Sequence, residues 1–193
     1  WWTKAIVVSV ATFTNTGFII MGDLIQNSGG ITVAEAGTFT NAATGSIQVH
    51  NTFYNGIQLY HVNTTFTNHG SVVMGGMADL GYNGIAVSEN ATFTNSVSGS
   101  MVINNVKVNW WSRGILLESA GKLNNSGSIQ LGNTNLNNSG VFIQGAGIFT
   151  NNAGAALHIN NAFYNGIELT QSGSSFVNHG SLMIGAIGNV KEM

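Results

Sequence analysis

The sequence predicts an all-β fold, a right-handed parallel β-helix (β-solenoid) of about seven coils of 26–30 residues with three short strands per coil. Three observations carry that expectation. A Phe-Thr-Asn signature recurs seven times, led by Phe13, Phe39, Phe66, Phe93, Leu123, Phe149 and Phe176 at spacings of 26, 27, 27, 30, 26 and 27 residues, which marks a repeat architecture. Two Gly-led signatures run in phase with it, each followed by apolar residues at alternate positions, the period of a strand with one buried face. No window carries the 3.6-residue apolar spacing of an amphipathic helix over three turns. Coils of this length suit the right-handed β-helix, whereas left-handed ones use shorter coils of three hexapeptides.

Each strand follows from its signature. The first opens on Gly or Ala: Ala5-Ile6/Val8, Gly30-Ile31/Val33, Gly56-Ile57/Leu59, Gly84-Ile85/Val87, Gly114-Ile115/Leu117, Gly140-Val141/Ile143 and Gly166-Ile167/Leu169. The second is the Phe-Thr-Asn strand, in which alternation turns Phe39 inward and Thr38 and Thr40 outward, with Asn41 turning back in at the corner. The third follows a second Gly, as in Gly45-Ile47/Val49, Gly70-Val72/Met74, Gly99-Met101/Ile103, Gly127-Ile129/Leu131 and Gly180-Leu182/Ile184; the copy at Gly154 runs one residue late, with Leu157 and Ile159 in the apolar places. The glycines are expected where the backbone bends or takes positive φ.

Stacking sets like residues ~4.8 Å apart from coil to coil. The seven Phe or Leu leaders then form a core column of offset rings. Asn15, Asn41, Asn68, Asn95, Asn125, Asn151 and Asn178 form a second column whose amides bond along the axis and satisfy the turn backbone, a structural role that needs no ligand. The pattern is also doubled. Phe53-Tyr54-Asn55-Gly56-Ile57 returns as Phe163-Tyr164-Asn165-Gly166-Ile167 and Asn68-His69-Gly70-Ser71 as Asn178-His179-Gly180-Ser181, both at an offset of 110, and Trp1-Trp2-Thr3-Lys4 returns as Trp110-Trp111-Ser112-Arg113 at 109. Residues 1–193 therefore read as one solenoid segment with a four-coil super-repeat. Solenoids need polar caps and neither end resembles one, so the expectation is a fragment of a longer repeat protein or a filament subunit.

Charged residues are 6% of the chain and the formal net charge is -2, against ~25% charged in ordinary globular proteins. Five Lys and Arg make no basic stripe, which excludes a nucleic-acid-binding balance. Low charge leaves the sides of the rod without mutual repulsion. Absence of Pro suits uninterrupted ladders, absence of Cys leaves the redox compartment unread, and no run of 18 apolar residues spans a membrane.

The combination of Phe-Thr-Asn, Gly-Ser-Ile-x-Val and Asn-Gly-Ile-x-Leu in Thr38 to Leu59 resembles the long secreted parallel β-helix repeat proteins of bacterial cell surfaces, adhesin-like proteins of Bacteroidota in particular. The resemblance covers essentially the whole chain and is specific for architecture rather than activity. It implies an extracellular or cell-surface location and a structural or adhesive role; the expectation of assembly with copies of itself comes from the low charge and uncapped ends, and that of contact with surface glycans from the loop aromatics. It carries over no catalytic residue and no cofactor.

Polysaccharide-cleaving β-helices work with clustered carboxylates, but Asp23 and Asp79 fall in loops of non-adjacent coils, so a non-enzymatic protein is expected. His69 and His179 lie four coils apart, ~19 Å, and His50 and His158 fall at outward positions. Glu35, His61 and Glu89 share one column; a straight column suits a tetrahedral metal poorly, and relief of carboxylate repulsion by His is the simpler account. Thr12/Thr14, Thr38/Thr40, Thr65/Thr67 and Thr92/Thr94 form two outward hydroxyl ranks that resemble ice-binding solenoids, but the next coils break the array with Lys122/Asn124, Ile148/Thr150 and Ser175/Val177. Among the loop aromatics, Trp2, Phe53, Trp111 and Phe163 are expected to cap the core, turning Trp1, Tyr54, Trp110 and Tyr164 outward for lateral contact or sugar stacking.

Overall fold

The computed structural model describes residues 4–22, 29–76, 80–104, 106, 112–132, 137–160 and 162–185. Among the described residues there are 21 strands and no helix. Numbered in chain order, they fall in turn into three parallel seven-stranded sheets. Sheet A holds β1 (Lys4–Ser9), β4 (Gly29–Ala34), β7 (Ile57–Leu59), β10 (Asn83–Val87), β13 (Arg113–Leu117), β16 (Asn137–Ile143) and β19 (Ala162–Leu169). Sheet B holds β2 (Thr12–Asn15), β5 (Thr38–Asn41), β8 (Thr65–Asn68), β11 (Thr92–Asn95), β14 (Lys122–Asn125), β17 (Ile148–Asn151) and β20 (Ser175–Asn178). Sheet C holds β3 (Phe18–Met21), β6 (Ser46–Val49), β9 (Ser71–Met74), β12 (Ser100–Ile103), β15 (Ser128–Leu131), β18 (Ala156–Ile159) and β21 (Ser181–Ile184). Strands adjacent in a sheet are three apart in sequence, so the chain visits A, B and C and returns one rung further on. The result is a three-sided β-solenoid of seven rungs.

Sheet B runs without a register slip, aligning Phe13, Phe39, Phe66, Phe93, Leu123, Phe149 and Phe176. Phe39 and Phe66 stack at 4.7 Å and Phe66 and Phe93 at 4.8 Å, nearly parallel in both pairs. This ring spacing is the strand spacing itself. Leu123 fills one step of the column and is fully buried. Phe13, at the edge of the stack, is 37% exposed, whereas Phe39, Phe66 and Phe93 are 0% exposed. The apolar pairs of sheets A and C close the other two walls of one continuous core.

The inward Asn column is a directional ladder. Each Nδ2 donates to the Oδ1 of the Asn one rung on, in six successive bonds of 2.8–2.9 Å. The same Nδ2 group also reaches the carbonyl of the residue opening the third strand one rung on, for example Ser71 O from Asn41 at 3.2 Å and Ser181 O from Asn151 at 3.0 Å. Buried amides are thereby satisfied without water.

Glycine placement differs from the expectation of bends and positive φ. Gly30, Gly56, Gly84, Gly140 and Gly166 avoid the left-handed region, and what they provide is room. A Cβ there would lie 2.9 Å from Val49 Cγ1, 2.8 Å from Met74 Sδ, 2.4 Å from Ile103 Cγ2, 2.5 Å from Ile159 Cγ2 and 2.5 Å from Ile184 Cγ2. The next rung's backbone closes in as well, with Gly56 O 2.2 Å from a Cβ on Gly30 and Gly166 O 2.5 Å from one on Gly140, so sheet C and the stacked rung together leave no space for a side chain. Left-handed positions recur at the A–B corner, where Val10, Glu35, His61, Glu89, Ser119, Gly145 and Gln171 all have φ between 48° and 74°, and just after sheet C, at Gly22, Asn51, Gly75 and Gly132.

The B–C corner alternates. Two residues link the strands in rungs 1, 3, 5 and 7 (Thr16-Gly17, His69-Gly70, Ser126-Gly127, His179-Gly180), and four link them in rungs 2, 4 and 6 (Ala42 to Gly45, Ser96 to Gly99, Asn152 to Ala155). Long corners close on themselves, with Gly45 N–H donating to Ala42 O at 2.8 Å and Gly99 N–H to Ser96 O at 2.9 Å. They also reach back to the short corner before them: Thr44 Oγ1 donates to Thr16 O at 2.9 Å, Ser98 Oγ to His69 O at 2.8 Å, and Asn152 Nδ2 to Ser126 Oγ at 2.9 Å. The next short corner seats directly on the long one. A Cβ at Gly70 would lie 2.1 Å from Gly45 O, at Gly127 2.2 Å from Gly99 O, and at Gly180 2.4 Å from Ala155 O.

Candidate functional site

The described residues present faces and edges of three sheets. On sheet B, the outward ranks Thr12, Thr38, Thr65, Thr92 and Thr14, Thr40, Thr67, Thr94 stand in register over four rungs. Parallel pairing without a bulge sets this grid, and Thr65 Oγ1 donates to Thr38 Oγ1 at 3.2 Å. Beyond rung 4 the same positions hold Lys122/Asn124, Ile148/Thr150 and Ser175/Val177. The grid is therefore flat and hydroxylated on one half of the rod and mixed on the other.

At the A–B corner, one string of polar groups runs along the axis. Ser9 Oγ donates to Glu35 Oε2, the Glu35 N–H donates to His61 Nδ1 at 3.3 Å, and His61 Nε2 faces Glu89 Oε2 at 3.5 Å. An Nδ1 that accepts a backbone N–H assigns the proton of neutral His61 to Nε2. The three side chains are strung out and do not converge; among the described residues no three His, Asp or Glu groups gather around a point that could hold a metal. His61 and Glu89 are 41% and 55% exposed, so their attraction is screened and contributes about 0–1 kcal/mol.

The C–A corner holds the aromatics. Tyr54 stacks on Tyr82 at 5.3 Å, and Phe53 meets Tyr54 edge-on at 4.9 Å. Here the structure reverses the expected in-and-out order. Phe53, expected to cap the core, is 50% exposed, while Tyr54 is half-buried against its neighbours. Thr52, Leu80 and Val106 seal the corner instead, through a Leu80–Val106 bridge and a Gly81 N–H bond to Thr52 O. Period two fails because residues 50–56 bend rather than run extended. Trp1, Trp2, Trp110, Trp111, Asp23 and Asp79 lie outside the described residues, as do the side chains of Phe163 and Tyr164.

His50 is a second correction. Read as an outward surface imidazole, it is buried at 3% exposure because the chain turns immediately after Val49. A Cβ on Gly76 would lie 3.2 Å from its Cε1. His158 stays on the outer rank of sheet C, between Gln130 and Met183, and His69 and His179 sit in rungs 3 and 7.

Two features were not read from the sequence. Asn83 Nδ2 donates to Asn55 Oδ1 at 2.9 Å and the Arg113 N–H donates to Asn83 Oδ1 at 3.1 Å, a short second ladder at the start of sheet A. The recurring Asn before the first-strand Gly, in Asn55-Gly56 and Asn83-Gly84, was its signal. Beside it the Arg113 guanidinium lies 4.6 Å from the Phe142 ring centre, a cation–π contact. Burial pushes this guanidinium below its ordinary pKa, and the Glu168 carboxylate works in the opposite direction.

Neither a protein-family model, nor a curated protein, nor a solved structure matches the chain. Its identity rests on its own geometry: a parallel β-solenoid with three strands per coil and an internal Asn ladder.

Proposed function

We propose that this chain is a non-enzymatic, extracellular structural element, a length of a surface fibre, filament or adhesin stalk that assembles by axial β-stacking and lateral contact. The observation that carries this reading is the directional ladder. Six Asn amides donate in one sense, so the ladder is polar along the axis, which favours head-to-tail addition. Head-to-tail contact is heterologous and leads to open filaments rather than closed rings. Sheet edges favour further strand pairing, and a chain with only 6% charged residues offers little repulsion between rods. Electron microscopy of the native material should reveal long rods with an axial repeat near four coils, ~19 Å. Discrete particles, or polysaccharide cleavage abolished by one carboxylate substitution, would overturn the reading.

The in-register Thr grid favours ice binding as the second reading. Thermal hysteresis lost in Thr40→Tyr would support it, and hysteresis absent from the unaltered chain would remove it. A glycan-binding role is supported by the exposed ring of Phe53 beside Tyr54 and Tyr82, since sugars stack on aromatic faces.

A further inference from the structure

We propose that the outer face of sheet C docks on the same face of a second copy of this chain lying parallel to it; this rests on the fibre reading above and names its lateral contact. From rung 2 to rung 7, each strand of this sheet places a small residue at its first outward position and a larger one at its second. The middle rungs show the step as Ser71/Val73, Ser100/Val102 and Ser128/Gln130, and the first place is Ser in all six rungs except at Ala156. Register runs unbroken through every pairing of the sheet. The face therefore carries one low rank and one high rank along the axis, about 7 Å apart along the strands and repeating every ~4.8 Å from rung to rung. Rung 1, with Phe18 and Ile20, lacks the step and lies outside the contact.

That step selects both the partner and its orientation. A two-fold axis parallel to the rods turns the face so that each low position meets a high one on the same rung, Ser100 against Val102 of the second copy and Ser128 against its Gln130. Small facing large is how dry sheet interfaces interdigitate. A two-fold axis across the rods would make them antiparallel and set Ser on Ser and large on large, leaving a gap beside a clash. Charge agrees with this assignment. Of the three sheets, sheet C alone has no Asp, Glu, Lys or Arg in its strands, whereas sheet A carries Lys4, Arg113 and Glu168 and sheet B carries Lys122. Depletion of charge marks the centre of an interface rather than its rim. Sheet B offers no such choice of orientation, because its first four rungs present Thr in both ranks. Six rungs of sheet C measure roughly 29 Å by 13 Å, about 400 Å² per copy, against the ~800 Å² that a stable pair buries on each side. Two chains therefore pair weakly, and the contact strengthens with each rung added.

The test uses the 193-residue chain, which has no Cys of its own, so single cysteines report geometry. Ser46→Cys chains mixed with Gln48→Cys chains should be joined by a short bis-maleimide. Ser46→Cys mixed with Ala156→Cys should not, because in parallel rods these positions lie four rungs apart, ~19 Å, whereas antiparallel rods centred on rung 4 would bring them together. In sedimentation equilibrium, Ser100→Arg should weaken self-association about tenfold or more, since it buries an unpaired charge, and Ser100→Ala should leave it as it was. Thr40→Arg, which adds the same charge to the outward side of sheet B, should leave it as it was too. Equal weakening by Ser100→Arg and Thr40→Arg, or a chain that stays monomeric at about 1 mM, overturns the docking face; long rods in electron microscopy would then still uphold the fibre reading. Joining of Ser46→Cys to Ala156→Cys in place of Gln48→Cys overturns the parallel arrangement. Joining of Ser46→Cys to Gln48→Cys upholds the pair even where native material shows only discrete particles, a result that would sink the fibre reading alone.

Discussion

Asn95 is the most instructive place to cut the ladder. Its Nδ2 donates to Asn125 Oδ1 at 2.9 Å, Gly99 O at 3.2 Å and Ser128 O at 3.2 Å, and its Oδ1 accepts from Asn68 Nδ2 at 2.8 Å. Asn95→Ala removes these contacts, but its neighbours keep partners: Asn68 Nδ2 still reaches Ser100 O, and Asn125 Oδ1 still accepts the Gly127 N–H. With two N–H groups shared among three acceptors, the loss amounts to about three net bonds, or about 3–4 kcal/mol at roughly 1 kcal/mol each plus a small cavity. Asn178→Ala, at the exposed end of the same ladder, should cost about 1 kcal/mol because water replaces the lost groups. Asn95→Asp should be worse than Ala above neutral pH, since its carboxylate would face three oxygens. Its carboxyl is therefore held protonated, with a folded pKa above the unfolded value of about 4. A raised carboxyl pKa contributes stability at low pH that is lost as pH rises past the unfolded value, so the Asp variant should recover between pH 7 and pH 4. Urea unfolding followed by far-UV circular dichroism measures all three. Equal midpoints for Asn95→Ala and Asn178→Ala, or an Asp variant indifferent to pH, would refute the argument.

Phe66→Ala should cost about 3–5 kcal/mol by emptying one step of the ring column, whereas Phe66→Leu should cost under about 1.5 kcal/mol, because Leu123 already fills the equivalent place; equal urea midpoints for the two would contradict this. Ser119, with φ 48° at an exposed corner, should become more stable by about 1 kcal/mol as Gly, the residue that rung 6 already carries at Gly145. A Ser119→Gly variant with an unchanged or lower midpoint would show that this corner is not strained.

The fold was legible because each inward position is repeated seven times. A residue such as Leu123, ambiguous alone, is fixed by six equivalents in register. The same logic explains what was missed. Phe53 and His50 lie in the C–A corner, where length varies from rung to rung and no period constrains which side faces in. The first-strand glycines were visible but their cause was not, since close approach to Val49 or Met74 depends on sheet C and leaves no local trace. As for the candidate faces, the Thr ranks and the Glu35–His61–Glu89 string follow from register alone. The contacts that decide their chemistry, such as the Glu35 N–H bond to His61 Nδ1, needed coordinates.

The alternating corner also fixes the smallest unit that can be removed. Sequence identity repeats every four rungs, but packing at the B–C corner repeats every two: a short corner seats its glycine on a long one, and a long corner reaches back to a short one. Deleting residues 69–95 removes one rung of 27 residues and joins Asn68 to Ser96, placing a long corner on the long corner of rung 2. Deleting residues 69–125 removes two rungs, 57 residues, and joins Asn68 to Ser126, which restores short on long. Every other column, Phe, Asn and the sheet A pairs, stays in register in both. Loss of core alone favours the smaller deletion, since burial grows with each rung retained. The corner argument makes the opposite prediction for the junction: the 57-residue deletion should melt in a single cooperative transition, and the 27-residue deletion should melt earlier or in two steps. Thermal unfolding of the two proteins by circular dichroism separates these outcomes. A 27-residue deletion as cooperative as the larger one, with a higher midpoint, would mean that corner alternation is a feature of sequence without structural consequence.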